Sequence, residues 1–278
     1  MKTTLKVQRL NIPSHAILIV WSLIVIFPLW VMVINSFKDR LAIYQNPFGL
    51  PAKWNVSNYG AILSDGDFLL YFRNSLMAVI LSLVFLLIVG ALASYALASW
   101  RGKFSRALYF FFIAGMMLPI KIASIRLLEL VRFFNLLNTI WSLLPIYIAM
   151  GVPVAIFILT EFIRAIPYEL TEAAVIDGAS RFRVFSMIIV PLLRPALATV
   201  AIYNLVPFWN DLWFPLIFIN DDRAKTVLLG VTRLFGQYQT DWSKVLAVLT
   251  LSAVPVIALY LTMSQQFIKG LTAGAVKG

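Results

Sequence analysis

Long apolar runs alternate with short polar connections along the whole sequence. Six of them extend from about His15 to Asn35, Leu69 to Trp100, Leu108 to Leu128, Thr139 to Ile163, Ala196 to Ile219 and Val245 to Phe267. Roughly 20 apolar residues cross one hydrocarbon core as a helix, so the pattern predicts an all-α polytopic membrane protein with six transmembrane helices. Residues 1–13 then form a tail and residues 14–278 a single transmembrane domain. The first run follows Lys2, Lys6 and Arg9; it is too long for the apolar part of a signal peptide and lacks a small-residue cleavage site, which predicts an uncleaved first span. In the second run Gly90, Ser94 and Ala98 recur every four residues, a face on which another helix can approach closely.

The connections set the orientation. Arg101, Lys103 and Arg106 crowd a short one, and with the basic N-terminal tail they predict a cytoplasmic location for both. An even number of spans then leaves both termini in the cytoplasm. Lys121, Arg126, Arg132, Arg223, Lys225 and Arg233 fall on the opposite side, where they are mixed with acids such as Glu129, Asp221 and Asp222. The connection between the first two spans is polar and holds the turn formers Pro47, Gly49, Pro51 and Asn55.

One cytoplasmic segment, residues 166–195, has its own local chemistry. Pro167 suits a first helical turn, Glu169 and Glu172 sit near the positive end of the helix dipole, and a short helix is predicted from Tyr168 to Asp177. Gly178 supplies the positive φ of a helix C-terminus, Ser180 caps a second helix running to Val190, and Pro191 and Pro195 interrupt the path into the fifth span. The result is a compact knob of two short helices. It either docks into a groove on another protein or lies as an amphipathic element on lipid headgroups.

Composition narrows the chemistry. Hydrophobic residues make up 61% of the chain and charged residues 13%, with a mean hydropathy of +0.89, which excludes a soluble globular or a disordered chain. The net charge of +11 resides in the connections and reads as topology signals and contacts with membrane lipids, with no nucleic-acid partner. The chain has no cysteine and a single histidine, His15, so thiolate catalysis, cysteine-based zinc sites, HExxH zinc chemistry and a Ser-His pair are excluded; a Ser-Lys pair using Lys121 is formally open. No GxxxxGK[ST] loop is present, so the chain binds no ATP in that way, and no catalytic or metal-binding residue is assigned.

Polar groups within spans are the candidates for a substrate path: Lys121, Arg126, Glu129, Glu161, Asn204, Asn210 and Asp211. Lys121 and Arg126 read as snorkelling or pairing with Glu129. Asn210 and Asp211 lie among Trp209, Trp213 and Phe214, a set that suits the ring faces and hydroxyls of a sugar and equally an interfacial aromatic belt.

Glu172-Ala173-Ala174, then Gly178, Ile188 and Val190-Pro191, resemble the EAA motif of binding-protein-dependent ATP-binding-cassette (ABC) importer permeases, with Val190 where the pattern usually has Leu. Asp177-Gly178-Ala179-Ser180 and Phe208-Trp209-Asn210-Asp211 are similar to patterns of the carbohydrate branch. The ending Gly270 to Gly278 is similar to that of its maltose-type (MalG-like) subunit. The resemblance implies the type I importer permease (MetI-like) fold and a coupling helix that fits a cleft in a cytoplasmic ATPase. The coupling residues would be Glu172, Ala173, Ala174, Asp177, Gly178, Ala179, Ser180 and Pro191. It further implies a second, MalF-like permease, an ATPase homodimer or heterodimer that binds ATP and Mg, and an extracytoplasmic sugar-binding protein. Trp209, Asn210, Asp211 and Asn204 become candidates for the path. Thr272 and Gly274, in the tail formed by residues 269–278, either contact the ATPase or belong to a frayed terminus. The ligand would be a carbohydrate, with a polyol or an anionic sugar derivative as alternatives. A gradient-driven secondary transporter is the rival reading, and the sequence shows no internal repeat of the kind common there.

Overall fold

The computed structural model describes residues 12–64, 66–100, 102–235 and 240–275, with side chains to residue 262. The bases of the N-terminal tail, Asp65, Arg101 and the last three residues lie outside the described residues. Among the described residues the structure is helical, apart from an isolated bridge between Phe235 and Thr240. The helices are α1 (Ile12–Ser36), α2 (Arg40–Gln45), α3 (Ser57–Ser64), α4 (Asp67–Ser99), α5 (Lys103–Gly115), α6 (Ser124–Phe133) and α7 (Leu143–Arg164). They continue as α8 (Tyr168–Ile176), α9 (Arg181–Val184), α10 (Val190–Leu192), α11 (Arg194–Trp209), α12 (Trp213–Phe218), α13 (Val227–Val231) and α14 (Trp242–Ala275).

Among the described residues four helices are long and apolar enough to span a membrane: α1, α4, α7 with the turn before it, and α14 to Thr262. The predicted third span is bent, and the fifth, residues 196–219, is broken at residues 210–212 between α11 and α12. The third bends by 83° between α5 and the segment Ile120–Phe133, and the fifth follows a 70° bend between Arg181–Leu192 and α11. Pro119 explains the first bend: it is extended, with φ −73° and ψ 95°, and cannot continue the ladder of α5. With 13 residues, α5 rises only about 20 Å, short of a hydrocarbon core of roughly 30 Å. Beyond the bend α6 is amphipathic, with Val131 buried and Arg126, Glu129 and Arg132 exposed.

The chain divides into two compact units, residues 1–65 with 234–251 and residues 66–233 with 252–278. In the first, α3 is tied to the end of α1 by a Ser36–Tyr59 hydroxyl pair at 2.5 Å and by Asn58 Nδ2 donating to the Ser36 carbonyl at 3.2 Å. Lys38 is buried and its Nζ donates to the Asn46 carbonyl at 2.7 Å; burial lowers the pKa of this amine.

In the second unit α4 packs along α7, and α11 packs against both. Lipid tails are as apolar as leucine, so close packing rather than hydrophobicity holds such helices together. The small residues provide it: a Cβ on Gly90 would stand 2.8 Å from the Ala155 Cβ, and Ser94 is fully buried on the same face. Gly151 on α7 lies against Leu86 of α4 and Asn204 of α11, so the three helices meet at a position without a side chain.

At the N-terminal end of α4 the segment 222–233 is clasped to that helix. Asn74 Nδ2 donates to the carbonyls of Arg223 (2.8 Å) and Lys225 (3.0 Å), and Val227 N–H donates to Ser75 Oγ at 2.9 Å. Arg233 pairs with Asp67 at 3.0 Å and Asp222 at 3.2 Å. The hydrogen bond from Lys225 and the nearby Arg233 hold the Asp222 carboxyl below its ordinary pKa.

Candidate functional site

The knob forms from local signals. Pro167 precedes α8 and Glu169 lies in its first turn. The helix ends in a Schellman motif: Ala179 N–H donates to the Ala174 carbonyl at 2.9 Å and Gly178 N–H to the Val175 carbonyl at 3.0 Å, with Gly178 at φ 83°. Ser180 then accepts from Arg183 N–H at 3.3 Å and caps α9. Glu172, Ala173, Asp177, Gly178 and Ser180 are exposed, whereas Ala174 and Ala179 rest partly buried against the core.

The second knob helix runs past Val190 with a widened turn. Phe185–Ile189 is π-helical, and Val190 N–H donates back to the Phe185 carbonyl. Pro191 accounts for this, since it lacks an N–H and its ring crowds the preceding turn. The helix reaches Leu192, and the break comes at Leu193, before Arg194 and Pro195 open α11. Val184, Ile189 and Leu193 are each 1% exposed, and the Phe185 ring lies 5.2 Å from that of Tyr95 on α4. The knob is therefore bolted to the helix bundle, while Ile176 (80% exposed) and Phe182 (72% exposed) are left uncovered.

At the root of the knob, Glu161 joins α7 to α5. Its carboxylate pairs with Arg164 at 2.7 Å and accepts from the Tyr109 hydroxyl at 2.9 Å, while the Arg164 guanidinium stacks 4.7 Å from the Tyr109 ring centre. Sequence reasoning found Glu161 but not Tyr109, whose burial gives no signal at the sequence level.

A second polar constellation lies where α11 ends. Asp211 Oδ2 accepts from the Tyr147 hydroxyl at 3.1 Å and its Oδ1 from Trp213 N–H at 3.1 Å, which closes α11 and starts α12. Tyr147 is buried and stacks on Phe208 with ring centres 4.8 Å apart. Trp213 Nε1 donates to Ser124 Oγ at 2.8 Å, and Lys121 Nζ stands 5.7 Å from a Trp213 ring centre.

The other candidates are distributed differently. Trp209 is buried with its Nε1 donating to the Ser252 carbonyl at 3.0 Å, and Asn204 is buried with its Nδ2 donating to the Val200 carbonyl at 2.9 Å. Asn210 is exposed. Arg126, not Lys121, pairs with Glu129, at 2.8 Å. Thr272 and Gly274 fall on the last turns of α14, with side chains outside the described residues. Among the described residues no group of three or more His, Asp or Glu residues that could hold a metal ion occurs.

Comparison with known proteins identifies the frame that carries these features. The chain is 33% identical over 273 residues to the diacetylchitobiose uptake system permease protein NgcG of Streptomyces coelicolor, covering 97% of this chain and 90% of that one. It is 31% identical over 252 residues to the melibiose/raffinose/stachyose import permease protein MelC of Bacillus subtilis, covering 90% and 91%. Its fold is similar to a chain in the crystal structure of a bacterial ABC transporter involved in the import of the acidic polysaccharide alginate, with a TM-score of 0.80 at 21% identity, covering 92% of this chain and 95% of that one. Residues 87–273, which contain the knob, α11 and most of α14, match the binding-protein-dependent transport system inner membrane component. The chain belongs to that family and is a membrane-embedded, non-catalytic permease subunit of an ABC transport system.

Proposed function

We propose that the chain is one of two permease subunits of an ATP-driven sugar importer, with the knob on the cytoplasmic side seated in a cleft of a partner ATPase. The observation that carries this reading is the rigid attachment of the knob. Its tip exposes Ile176 and Phe182, and its base is buried at Val184, Ile189 and Leu193, directly before the bend into α11. A pull on the tip thus moves α11 with it. When ATP and Mg draw two ATPase subunits together, the knobs of the two permeases approach and the helices rock as rigid bodies between inward- and outward-open states. A binding protein on the outer face delivers the ligand. The sugar specificities named for NgcG and MelC support a carbohydrate as that ligand.

Within this chain, Asn210, Asp211 and the exposed ring of Trp213 are the groups that line the path. Asn204 and Trp209 support it from behind, through the bonds they make inside the bundle.

Mild-detergent purification of the tagged chain from its native membranes tests the reading. A second permease and an ATPase are expected to accompany it, and ATP inside proteoliposomes oriented with the knob inward should drive sugar uptake in the presence of the binding protein. Uptake by the chain alone, driven by an ion gradient and indifferent to ATP, would overturn the proposal.

A further inference from the structure

A large groove of about 2130 Å³ runs between the ends of α4 and α7, the start of α5, and the inner wall of the knob. It exceeds an ordinary small-molecule pocket of roughly 300–1,000 Å³. Its α5 wall carries Lys103 and Arg106, one helical turn apart and so on one face. Neither makes an ion pair among the described residues. Arg164 adds a third cation, held in place by Glu161 and the Tyr109 ring, and Arg181 a fourth. The knob wall offers Glu169 and Glu172.

The depth of the groove matters as much as its charge. It lies where spanning helices end, and Trp100 and Phe110 on its rim are 72% and 59% exposed, as aromatic side chains are at the headgroup level. Leu97 and Ile163 give it an apolar floor. Two cations without an ion pair among the described residues, above apolar walls and between helices on the cytoplasmic side, match the double nature of an anionic phospholipid, a charged head on hydrocarbon chains.

We infer that this groove is a binding site for an anionic phospholipid, with Lys103 and Arg106 holding the phosphate and Arg164 flanking it. The assignment rests on the functional reading above only for the cytoplasmic location. A lipid seated there touches α5 on one side and α8 on the other, so it props the knob against the bundle.

The test uses the whole importer. Wild type and a Lys103→Gln/Arg106→Gln variant are placed in nanodiscs of phosphatidylcholine with one-fifth phosphatidylglycerol, then extracted and weighed by native mass spectrometry. Wild type is expected to retain phosphatidylglycerol preferentially, and the variant to retain about tenfold less. The charge-keeping variant Lys103→Arg/Arg106→Lys should recover retention, which separates lost charge from damaged folding. Equal retention by the double-glutamine variant would overturn the inference. So would a variant that keeps its lipid but sheds the ATPase, because the groove would then be a protein contact. Lipid retention is read without reference to transport, so failure of the importer reading appears separately, as absence of a co-purifying ATPase.

Discussion

Replacing Gly178 with aspartate is expected to leave the chain folded and inserted while sugar uptake falls by at least about tenfold. Two features combine at this position. Its φ of 83° is the left-handed conformation, which costs a residue with a Cβ roughly 1–2 kcal/mol; a short polar side chain tolerates it better than most. Around the missing Cβ no atom of the described residues beyond its chain neighbours lies within 4 Å, so a Cβ there has open space. What it meets is whatever covers the knob. A defect in transport without a defect in expression therefore reports on docking, and the paired measurement is ATPase activity of the purified importer with and without the loaded binding protein. Stimulation should disappear together with uptake. Wild-type uptake in a well-expressed Gly178→Asp variant would remove the knob from the mechanism.

Gly151→Leu is expected to have the opposite character, a loss of stability rather than of coupling. A Cβ there would overlap Leu86 and come within 2.9 Å of Asn204 Oδ1, in the place where α4, α7 and α11 meet. Overpacking of a tight core typically costs 1–3 kcal/mol, and a branched side chain between three helices falls at or above the upper end of that range. The midpoint of thermal unfolding in detergent should drop by several degrees and the yield of intact importer with it. The smaller change Gly151→Ala should be largely rescued by Leu86→Ala, since that truncation removes the atoms the new methyl overlaps. Absence of rescue would mean that the Asn204 side, not the Leu86 side, sets the spacing.

The contrast between these two glycines also shows what the sequence could reveal. Gly178 was legible because the reasons for it are local: a proline before the helix, acids in its first turn, a glycine at its end and a serine capping the next. Each of those signals acts within a few residues, and each is realised between Pro167 and Ser180. Gly151 lies in a continuous apolar run, where nothing marks it apart from its size. The straight spans were legible from length and composition. The bent third span was not, because apolar residues on both sides of Pro119 read as a single run, whereas the bend at Leu193 lies where Pro191 and Pro195 interrupt the path. The amphipathic pattern of α6 and Pro119 were the available signals for the third span, and hydropathy outweighed them. Pro191 was expected to stop a helix that instead absorbed it in a π-turn. Least legible were the polar pairs across helices. Tyr147 and Asp211 are separated by 64 positions and Tyr109 and Glu161 by 52, so only the packing of the helices brings them together.

The central claim, that the knob is the ATPase contact, can be tested directly because the chain contains no cysteine. A single cysteine introduced at Ala173, which is exposed on α8, and labelled with a benzophenone maleimide should photocross-link to the ATPase subunit in membranes that retain uptake. The same label at Leu130 on α6, which is also exposed, should yield no such product. The account predicts the cross-link at residue 173 alone. A cross-link to the ATPase from residue 130 and none from residue 173, with transport intact, would contradict it.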